Sequence, residues 1–415
     1  MAGLSAAKQL IQNNITDFKI LEARNRIGGR IVSVQTDSHK VELGANWIHG
    51  VLGNPMYELA MANGLIDIVH VPKPHKVVAA TEEGRQIPFH ILQEIYEAYV
   101  CFLRRCEEYF LCHYLPPTGI NSVGQHIGLE TALYLDRSVD SEDRHLCELI
   151  FDCLLKRETC ITGCHSMNEI DLLELGSYTE LQGGNIVLPT GYSSILGAVA
   201  KDIPPENIIK KCVDGTRYYA NHVICTLPLG VLKHKAATLF LPQLPQYKIE
   251  SINRLLFGTV DKIILEYDRP FLNPDISEIS DTLLLGWISG KEAEFMETLP
   301  NETVADKCTE ILRKFLNDPF VPKPKRSRAG APSHTPGALT PPWRWGLRMA
   351  SLLQPSLLFA GEHTHSSFYS TVHGAYLTGR AAAQALVIPD SPEETVMECE
   401  GTNDLSSWIQ GISLN

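Results

Sequence analysis

The spacing of residues at the start of the chain constrains its fold more than any other feature. Residues 2–12 are rich in small side chains and predict a helix, and residues 18–22 predict a short buried strand that ends in Glu22. Gly3 and Glu22 stand about 20 residues apart, as do the last glycine of a G-x-G-x-x-G turn and the ribose-binding acid in a dinucleotide-binding βαβ unit. On this interpretation the chain begins inside the phosphate-binding turn, because the opening strand and first two glycines would precede Met1.

The residues after Glu22 support this interpretation, since Gly3 alone is more simply a chance glycine near a terminus. A paired-glycine turn, Gly28-Gly29, follows the strand and leads directly into Arg30. An arginine suits a phosphate because its planar fork donates two hydrogen bonds. The sequence therefore predicts that Gly3, Glu22, Gly28, Gly29 and Arg30 hold a ribose and a pyrophosphate.

Composition narrows the class of protein. The 415 residues allow two or three domains with a large core, and the formal net charge of -12 argues against non-specific nucleic-acid binding. No apolar run approaches the ~20 residues that span a membrane. The 11 cysteines lack a repeated spacing, which with no signal peptide predicts free thiols in a reducing compartment. Cys160, Cys164 and His165 lack a second ligand pair, so we expect no metal site.

Periodicity and turn residues predict the order of elements along the chain. Helical patterns occupy residues 54–64, 90–113, 141–157 and 247–256, and strand patterns occupy 31–36, 41–43, 258–267 and 356–360. Residues 183–204 predict a strand, a glycine turn and a helix. A hairpin is predicted at Asp214-Gly215 before a buried strand, and residues 227–233 are predicted to form a turn. Residues 321–348 are basic and rich in Pro, Gly and Ser, with neither helix nor strand period.

Two further features point to a flat ligand. The stretch 44–50 combines two glycines, an asparagine and a tryptophan, which is typical of a backbone that passes close to such a ligand, although a plain loop would also fit. Lys262 stands among apolar neighbours in a predicted strand. A lysine there is usually an edge or snorkelling residue, but it could also hold a water against a flavin.

Taken together, these stretches resemble the flavin-dependent polyamine oxidases, the spermine oxidase and acetylpolyamine oxidase branch of the amine oxidase family. The residues that carry the resemblance are 1–7, 21–30, 42–50, 226–233, 257–262 and 358–375. The resemblance implies an α/β fold: a doubly wound, Rossmann-like FAD-binding domain of the GR2 type, built from discontinuous segments, with an inserted α+β substrate-binding domain. The implied bounds are 1–70, 180–250 and 355–390 for the FAD domain, 71–179 and 251–322 for the substrate domain, 323–354 for an irregular segment, and 391–415 for a tail.

The resemblance also implies an activity and roles for individual residues. The expected reaction oxidises a secondary amine of spermine, spermidine or an acetylated form, with hydride transfer to N5 of a non-covalent FAD and release of hydrogen peroxide. Its partners would be the polyamine and molecular oxygen, with no nucleic acid or membrane, and the chain is expected to be a monomer. By this resemblance, Glu22 would bind ribose, the pyrophosphate would be bound by Gly28, Gly29 and Arg30, and Glu362 would bind the ribityl chain. The isoalloxazine would be lined by Gly44, Ala45, Asn46 and Trp47 and contacted by Thr371 and Val372. The implied catalytic residues are His49, which would orient the amine, Lys262, which would hold a water near N5, and Thr371.

Alternatives remain open at this level. The absent phosphate-loop glycines, the short join before Asp214 and the unfamiliar residues 323–354 favour an inactive, truncated isoform or pseudoenzyme of the same family. Another flavin amine oxidase is the second alternative. A monoamine oxidase would carry a flavin-linked cysteine within 323–354, where the sequence has no cysteine. A lysine demethylase would carry a long helical insertion, and the sequence shows no such pattern. The C-terminal Ser413-Leu414-Asn415 fits a peroxisomal Ser-Lys-Leu address poorly, so a cytoplasmic location is expected, with the peroxisome as the alternative.

Overall fold

The computed structural model describes residues 1–36, 40–66, 78–138, 143–210, 215–272, 282–330 and 356–387. The helices are α1 (Ala2–Gln12), α2 (Pro55–Ala62), α3 (Phe89–Leu111), α4 (Val123–Ser138), α5 (Arg144–Thr162), α6 (Ser194–Ala200), α7 (Leu229–Leu239), α8 (Gln246–Arg254), α9 (Gly290–Met296), α10 (Asn301–Phe315) and α11 (Val372–Val387). The strands are β1 (Ile20–Glu22), β2 (Ser33–Gln35), β3 (Lys40–Glu42), β4 (Trp47–Ile48), β5 (Ile186–Val187), β6 (Ile208–Lys210), β7 (Val223–Cys225), β8 (Val260–Glu266), β9 (Leu283–Ser289), β10 (Arg326–Ala329) and β11 (Leu357–Phe359). The predicted tail 391–415, residue 214 of the predicted hairpin and most of the segment 323–354 lie outside the described residues.

Two parallel strand pairs form the part of the fold that the start of the chain predicts. Strand β1 pairs with β6, and β7 pairs with β11, each in parallel register. Parallel strands need covering on both faces, and α1 and α11 pack closely together beside these pairs. This arrangement confirms the predicted strand-then-acid pattern, because Glu22 is the last residue of β1.

Gly379 allows the close contact between helices α1 and α11. A Cβ at Gly379 on α11 would lie 2.1 Å from the carbonyl oxygen of Ala2, which no alanine could tolerate without a backbone shift. A Cβ at Gly3 would meet Thr226 at 3.4 Å, which is close to an ordinary contact. Gly379 therefore permits the close contact between α1 and α11, and the cofactor-binding role of Gly3 stays a prediction.

Three long helices, α3, α4 and α5, pack around an aromatic core. Phe102 on α3 stacks on Phe151 on α5 with ring centroids 5.7 Å apart, and Tyr134 on α4 meets Phe151 edge-on. The helices predicted over residues 90–113 and 141–157 are confirmed in their described parts by α3 and α5, whereas α4 is not predicted. No helix in the described part of the chain has both the length and the apolar composition needed to cross a membrane.

A three-stranded antiparallel sheet in the order β10-β8-β9 lies beside α9 and α10. The prediction that residues 321–348 contain no strand is wrong for β10, since Arg326–Ala329 pairs with β8. Its alternating pattern places the two arginines outward and Ser327 and Ala329 inward. Tertiary pairing on β8 decides this strand, because local β-propensity is weak and context-dependent.

Two further predictions differ from the structure, and one is confirmed in detail. Residues 227–233, predicted as a turn, contain the start of α7 at Leu229. No strand occurs in described residues 215–222, where one arm of the hairpin at Asp214-Gly215 was expected. Helix α2 begins as predicted, with the Asn54 side chain accepting a hydrogen bond from the Met56 amide and Pro55 at the first helical position.

Candidate active site

A partly buried ion pair joins two distant parts of the chain. Arg30 follows the Gly28-Gly29 turn, and Glu362 stands just after β11; their Nη2 and Oε1 atoms are 2.8 Å apart. The second carboxylate oxygen of Glu362 accepts the backbone amide of Ser370 at 2.9 Å. Glu362 therefore fixes the turn that leads into α11 as well as the side chain of Arg30.

The electrostatics of Glu362 favour a permanent negative charge. Burial by itself would raise the pKa of this carboxyl, but Arg30 and His363 outweigh it and lower the pKa to about 2. Each carboxylate oxygen has two lone pairs, so Glu362 can still accept further hydrogen bonds from a bound hydroxyl. This carboxylate is suited to hold a polyol while it stays paired with Arg30.

The turn before Arg30 requires its glycines for different reasons. Gly28 and Gly29 have φ of 101° and 58°, a region that favours glycine. A Cβ at Gly28 would also collide with Leu196, whereas one at Gly29 would meet nothing within 4 Å. The open side of Gly29 leaves its backbone accessible to a ligand.

The N-terminal end of α1 lies near Arg30 and Glu22. Burial, reinforced by Arg30 and opposed by Glu22, lowers the pKa of the Met1 amine to about 6. Glu22 also accepts the amide of Arg24 at 2.8 Å, which orients its carboxylate. Gly3 is in the first turn of α1, so the residues predicted to bind ribose and pyrophosphate are brought together at one end of this helix.

The loop from Gly44 to Trp47 crosses the backbone at Arg30. A Cβ at Gly44 would lie 1.7 Å from the carbonyl oxygen of Arg30, and the amide of Ala45 donates to that same oxygen at 3.2 Å. Ala45 and Val372 pack against one hydrophobic cluster. The structure therefore places this loop next to the ion-pair arginine.

Lys262 stands at the centre of the antiparallel sheet and reaches this loop. Its side chain is 2% exposed, and its ammonium donates to the carbonyl oxygens of Gly44 and Glu42 and to Asn46 Oδ1. Among the described strands β8 is flanked on both sides, so the interpretation of Lys262 as an edge or snorkelling residue is wrong. Burial lowers its pKa to about 8, with Glu42 opposing the shift.

His49 is a neutral imidazole with a defined tautomer. Burial lowers its pKa, while a hydrogen bond to Asn185 and the charge of Glu180 oppose the shift. Nδ1 lies 3.2 Å from the amide oxygen of Asn185 and donates to it, so Nε2 carries the lone pair. A neutral imidazole with a free Nε2 can accept a hydrogen bond from an amine.

Thr371 caps α11. Its hydroxyl donates to the carbonyl oxygen of Phe368 at 2.6 Å and accepts the amide of Gly374 at 2.9 Å. This is the bonding pattern of a helix N-cap, and it satisfies one of the amides left free in the first turn. The contacts of the hydroxyl thus explain the presence of Thr371, and its catalytic role stays a prediction.

Two further histidines, His365 and His373, were not predicted. His365 Nδ1 accepts the amides of Ser367 and Phe368, and burial lowers its pKa to about 4. Burial, with His49 and His365 contributing, lowers the pKa of His373 to about 3. The tertiary fold creates this neutral cluster, although the clustering of histidines in residues 363–373 could have signalled it.

Comparison with known proteins identifies the family of this chain. The sequence matches the flavin containing amine oxidoreductase family over residues 1–180 and 191–387. The chain belongs to this family. FAD is the cofactor, and the ion pair, the glycine turn and the loop at Gly44 fit it, because they offer a guanidinium, a buried carboxylate and an accessible backbone.

Its relatives and structural neighbours cover nearly the whole chain. The sequence is 29% identical to the human protein named peroxisomal N(1)-acetyl-spermine/spermidine oxidase and 30% identical to the bovine protein of that name, each over 95% of this chain and 94% of the relative. Two solved structures, cyclohexylamine oxidase from Brevibacterium oxydans and a redesigned putrescine oxidase, cover 93% of the chain with TM-scores of 0.62 and 0.66 at 16% and 15% identity. The fold is the α/β flavoprotein fold predicted from the sequence.

Proposed function

We propose that this chain catalyses the FAD-dependent oxidation of polyamines: spermine, spermidine or their N1-acetylated forms. The products would be an aminoaldehyde, an amine and hydrogen peroxide. The observation that carries this proposal is the match to two mammalian N(1)-acetyl-spermine/spermidine oxidases over 95% of the chain. The rice relative named polyamine oxidase 1, 26% identical over 93% of the chain, supports the same substrate class.

The protein's own residues would prepare the amine. The redox chemistry would be supplied by bound FAD, as the acceptor of the hydride from the carbon next to nitrogen. The amine must lose its proton before this transfer, and the neutral His49, with its Nε2 lone pair, is suited to accept a hydrogen bond from the nitrogen. His49 would therefore orient the amine.

The proposed contacts with the ribose, pyrophosphate and ribityl parts of FAD are made by separate residues. Glu22 would bind ribose, Arg30 and the turn at Gly28-Gly29 would bind the pyrophosphate, and Glu362 would bind the ribityl chain. The positions of Glu22 and Arg30 near the N-terminal end of α1 support the first two roles, since a helix N-terminus favours an anion.

The remaining roles concern the flavin ring. Residues 44–47 and Val372 would line the isoalloxazine, which the shared packing of Ala45 and Val372 supports. That Thr371 lies against the ring, and that Lys262 holds a water near N5, stay predictions. We also propose that segments 1–70, 180–250 and 355–390 form the FAD domain and that 71–179 and 251–322 form the substrate domain.

The location and assembly of the protein can be proposed with a test for each. We propose a peroxisomal location, the alternative in the sequence analysis, because both mammalian relatives are named as peroxisomal. Cell fractionation with a catalase marker tests it. The expected monomer can be tested by light scattering of the purified protein.

A peroxide-coupled assay tests the activity. Purified protein loaded with FAD is offered N1-acetylspermine, spermine, spermidine and, as the contrast for another amine oxidase, benzylamine. The proposal predicts peroxide from a polyamine together with one mole of aminoaldehyde per mole of peroxide. Turnover of benzylamine alone would favour the monoamine alternative, and FAD-loaded protein without any turnover would favour the inactive member of the family.

A further inference from the structure

A stacked tryptophan pair lies beside the Lys262 ammonium. Trp47 in β4 and Trp287 in β9 have ring centroids 5.6 Å apart and planes inclined by 20°. Lys262 and Trp287 are directly opposed in the antiparallel β8–β9 register, so their side chains share one face of the sheet. The ammonium Nζ lies 4.8 Å from the centre of the Trp287 ring, within the range of a cation–π interaction.

The ammonium also donates hydrogen bonds to the loop at residues 42–47. Nζ donates to Gly44 O at 2.6 Å, to Asn46 Oδ1 at 2.7 Å and to Glu42 O at 3.0 Å. An ammonium has three N–H donors, so each of them has a protein acceptor in this geometry. Lys262 thus ties the antiparallel sheet to the loop.

We propose that Lys262 and Trp287 form a clamp that positions the loop 42–47 against the flavin, with Trp287 as a positioning residue for the reaction. Trp287 acts on this loop at two points. It stabilises the ammonium that binds Gly44 and Asn46, and it stacks on Trp47 at the end of the loop. The role of the loop in the site rests on the proposed function, whereas the clamp itself rests on the contacts of the protein alone.

The clamp differs from the water-holding role predicted for Lys262. A lysine that only holds a water near the flavin would contribute to flavin chemistry, and its removal would not loosen the loop. A clamp contributes to the stability of the protein without FAD, because a neutral residue at position 262 leaves three acceptors without their donor. It also contributes to FAD affinity, because an ordered loop need not be fixed on binding.

The experiment combines FAD titration with a double-mutant cycle. The variants are Trp287→Leu, Trp287→Phe, Lys262→Met and the double variant Lys262→Met/Trp287→Leu, with Phe295→Leu, an aromatic on α9 that is 66% exposed, as the matched control. FAD affinity is measured by quenching of flavin fluorescence, and the urea midpoint is measured without FAD. We expect Trp287→Leu to raise the Kd for FAD on the order of tenfold and to shift the flavin absorption maximum.

Two features of the result distinguish a positioning role from general damage. Trp287→Phe keeps an aromatic face, so it should restore most of the affinity and the flavin spectrum. The urea midpoints should be non-additive, with the double variant losing less than the two single variants together. A Trp287→Leu variant that matches Phe295→Leu in Kd and spectrum, or an additive cycle, would overturn the proposal. The cycle without FAD gives its answer even if no polyamine is oxidised.

Discussion

Replacing Arg30 by methionine should destabilise the protein far more than an ordinary surface substitution. The change removes the guanidinium and leaves the buried Glu362 carboxylate, whose side chain is 6% exposed, without its main countercharge. Only His363 would then oppose the effect of burial, so the pKa of Glu362 would rise. With Arg30 present the pKa is lowered to about 2 from 4.5, and each unit corresponds to about 1.4 kcal/mol. We therefore expect a loss of about 3 kcal/mol in the free energy of unfolding at pH 7.

The assay is urea unfolding of the protein without FAD, followed by circular dichroism at several pH values. Because the folded pKa of Glu362 is lowered, its contribution is complete above pH 4.5 and is lost as the pH falls towards 2. Arg30→Met should weaken this loss of stability at low pH, and the double variant Arg30→Met/Glu362→Gln should recover part of the stability. The matched control is Arg144→Met, since Arg144 lies 2.8 Å from Asp136 but both side chains are exposed. An Arg30→Met variant that loses no more stability than Arg144→Met would refute the reasoning.

Three further predictions follow from single contacts. Gly44→Ala should lower the free energy of unfolding by about 1–3 kcal/mol and weaken FAD binding, because its Cβ would meet a backbone oxygen. The control is Gly197→Ala on α6, whose Cβ would meet nothing within 4 Å, and it should be neutral or stabilising in the same melting experiment. Thr371→Val should cost about 1 kcal/mol through the lost cap, and Thr371→Ser should not. Burial lowers the pKa of His373 in the folded protein to about 3, so the stability that its neutral form contributes is complete above pH 6.5 and is lost as the pH falls. His373→Phe should therefore reduce the decline of the urea midpoint between pH 6.5 and 4.

Local patterns predicted the elements whose formation depends on nearby residues. The helix at Ala2–Gln12, the strand ending in Glu22 and the Asn54-capped helix follow from small-residue runs, a terminal acid and an N-cap with proline after it. These signals lie within one turn or one strand, so no tertiary information is needed to read them.

Elements that depend on distant partners were not predictable in the same way. Strand β10 has an arginine-rich sequence, and only its pairing with β8 makes it extended. The close contact at Gly379 depends on where α1 lies, and the central position of Lys262 depends on which strands flank β8. Each of these features is decided by contacts between segments far apart in the chain, which one sequence does not specify.

The candidate site shows the same division. The resemblance predicted cofactor roles for Arg30 and Glu362, but their direct ion pair depends on the tertiary fold that places β11 beside β7. Trp287 had no motif around it in the sequence, and its importance comes from standing opposite Lys262 across two strands. The neutral histidines at 365 and 373 likewise gain their properties from burial.

Anaerobic reduction of bound flavin is a direct test of whether this chain oxidises polyamines. The purified chain is titrated with FAD, freed of excess cofactor, and its absorbance spectrum is recorded before and after N1-acetylspermine or spermine is added without oxygen. We expect an oxidised flavin spectrum that bleaches with a polyamine and returns when oxygen is admitted. A folded protein that binds FAD but keeps its full absorbance with every polyamine, or one that never takes up FAD, would rule out polyamine oxidation by this chain.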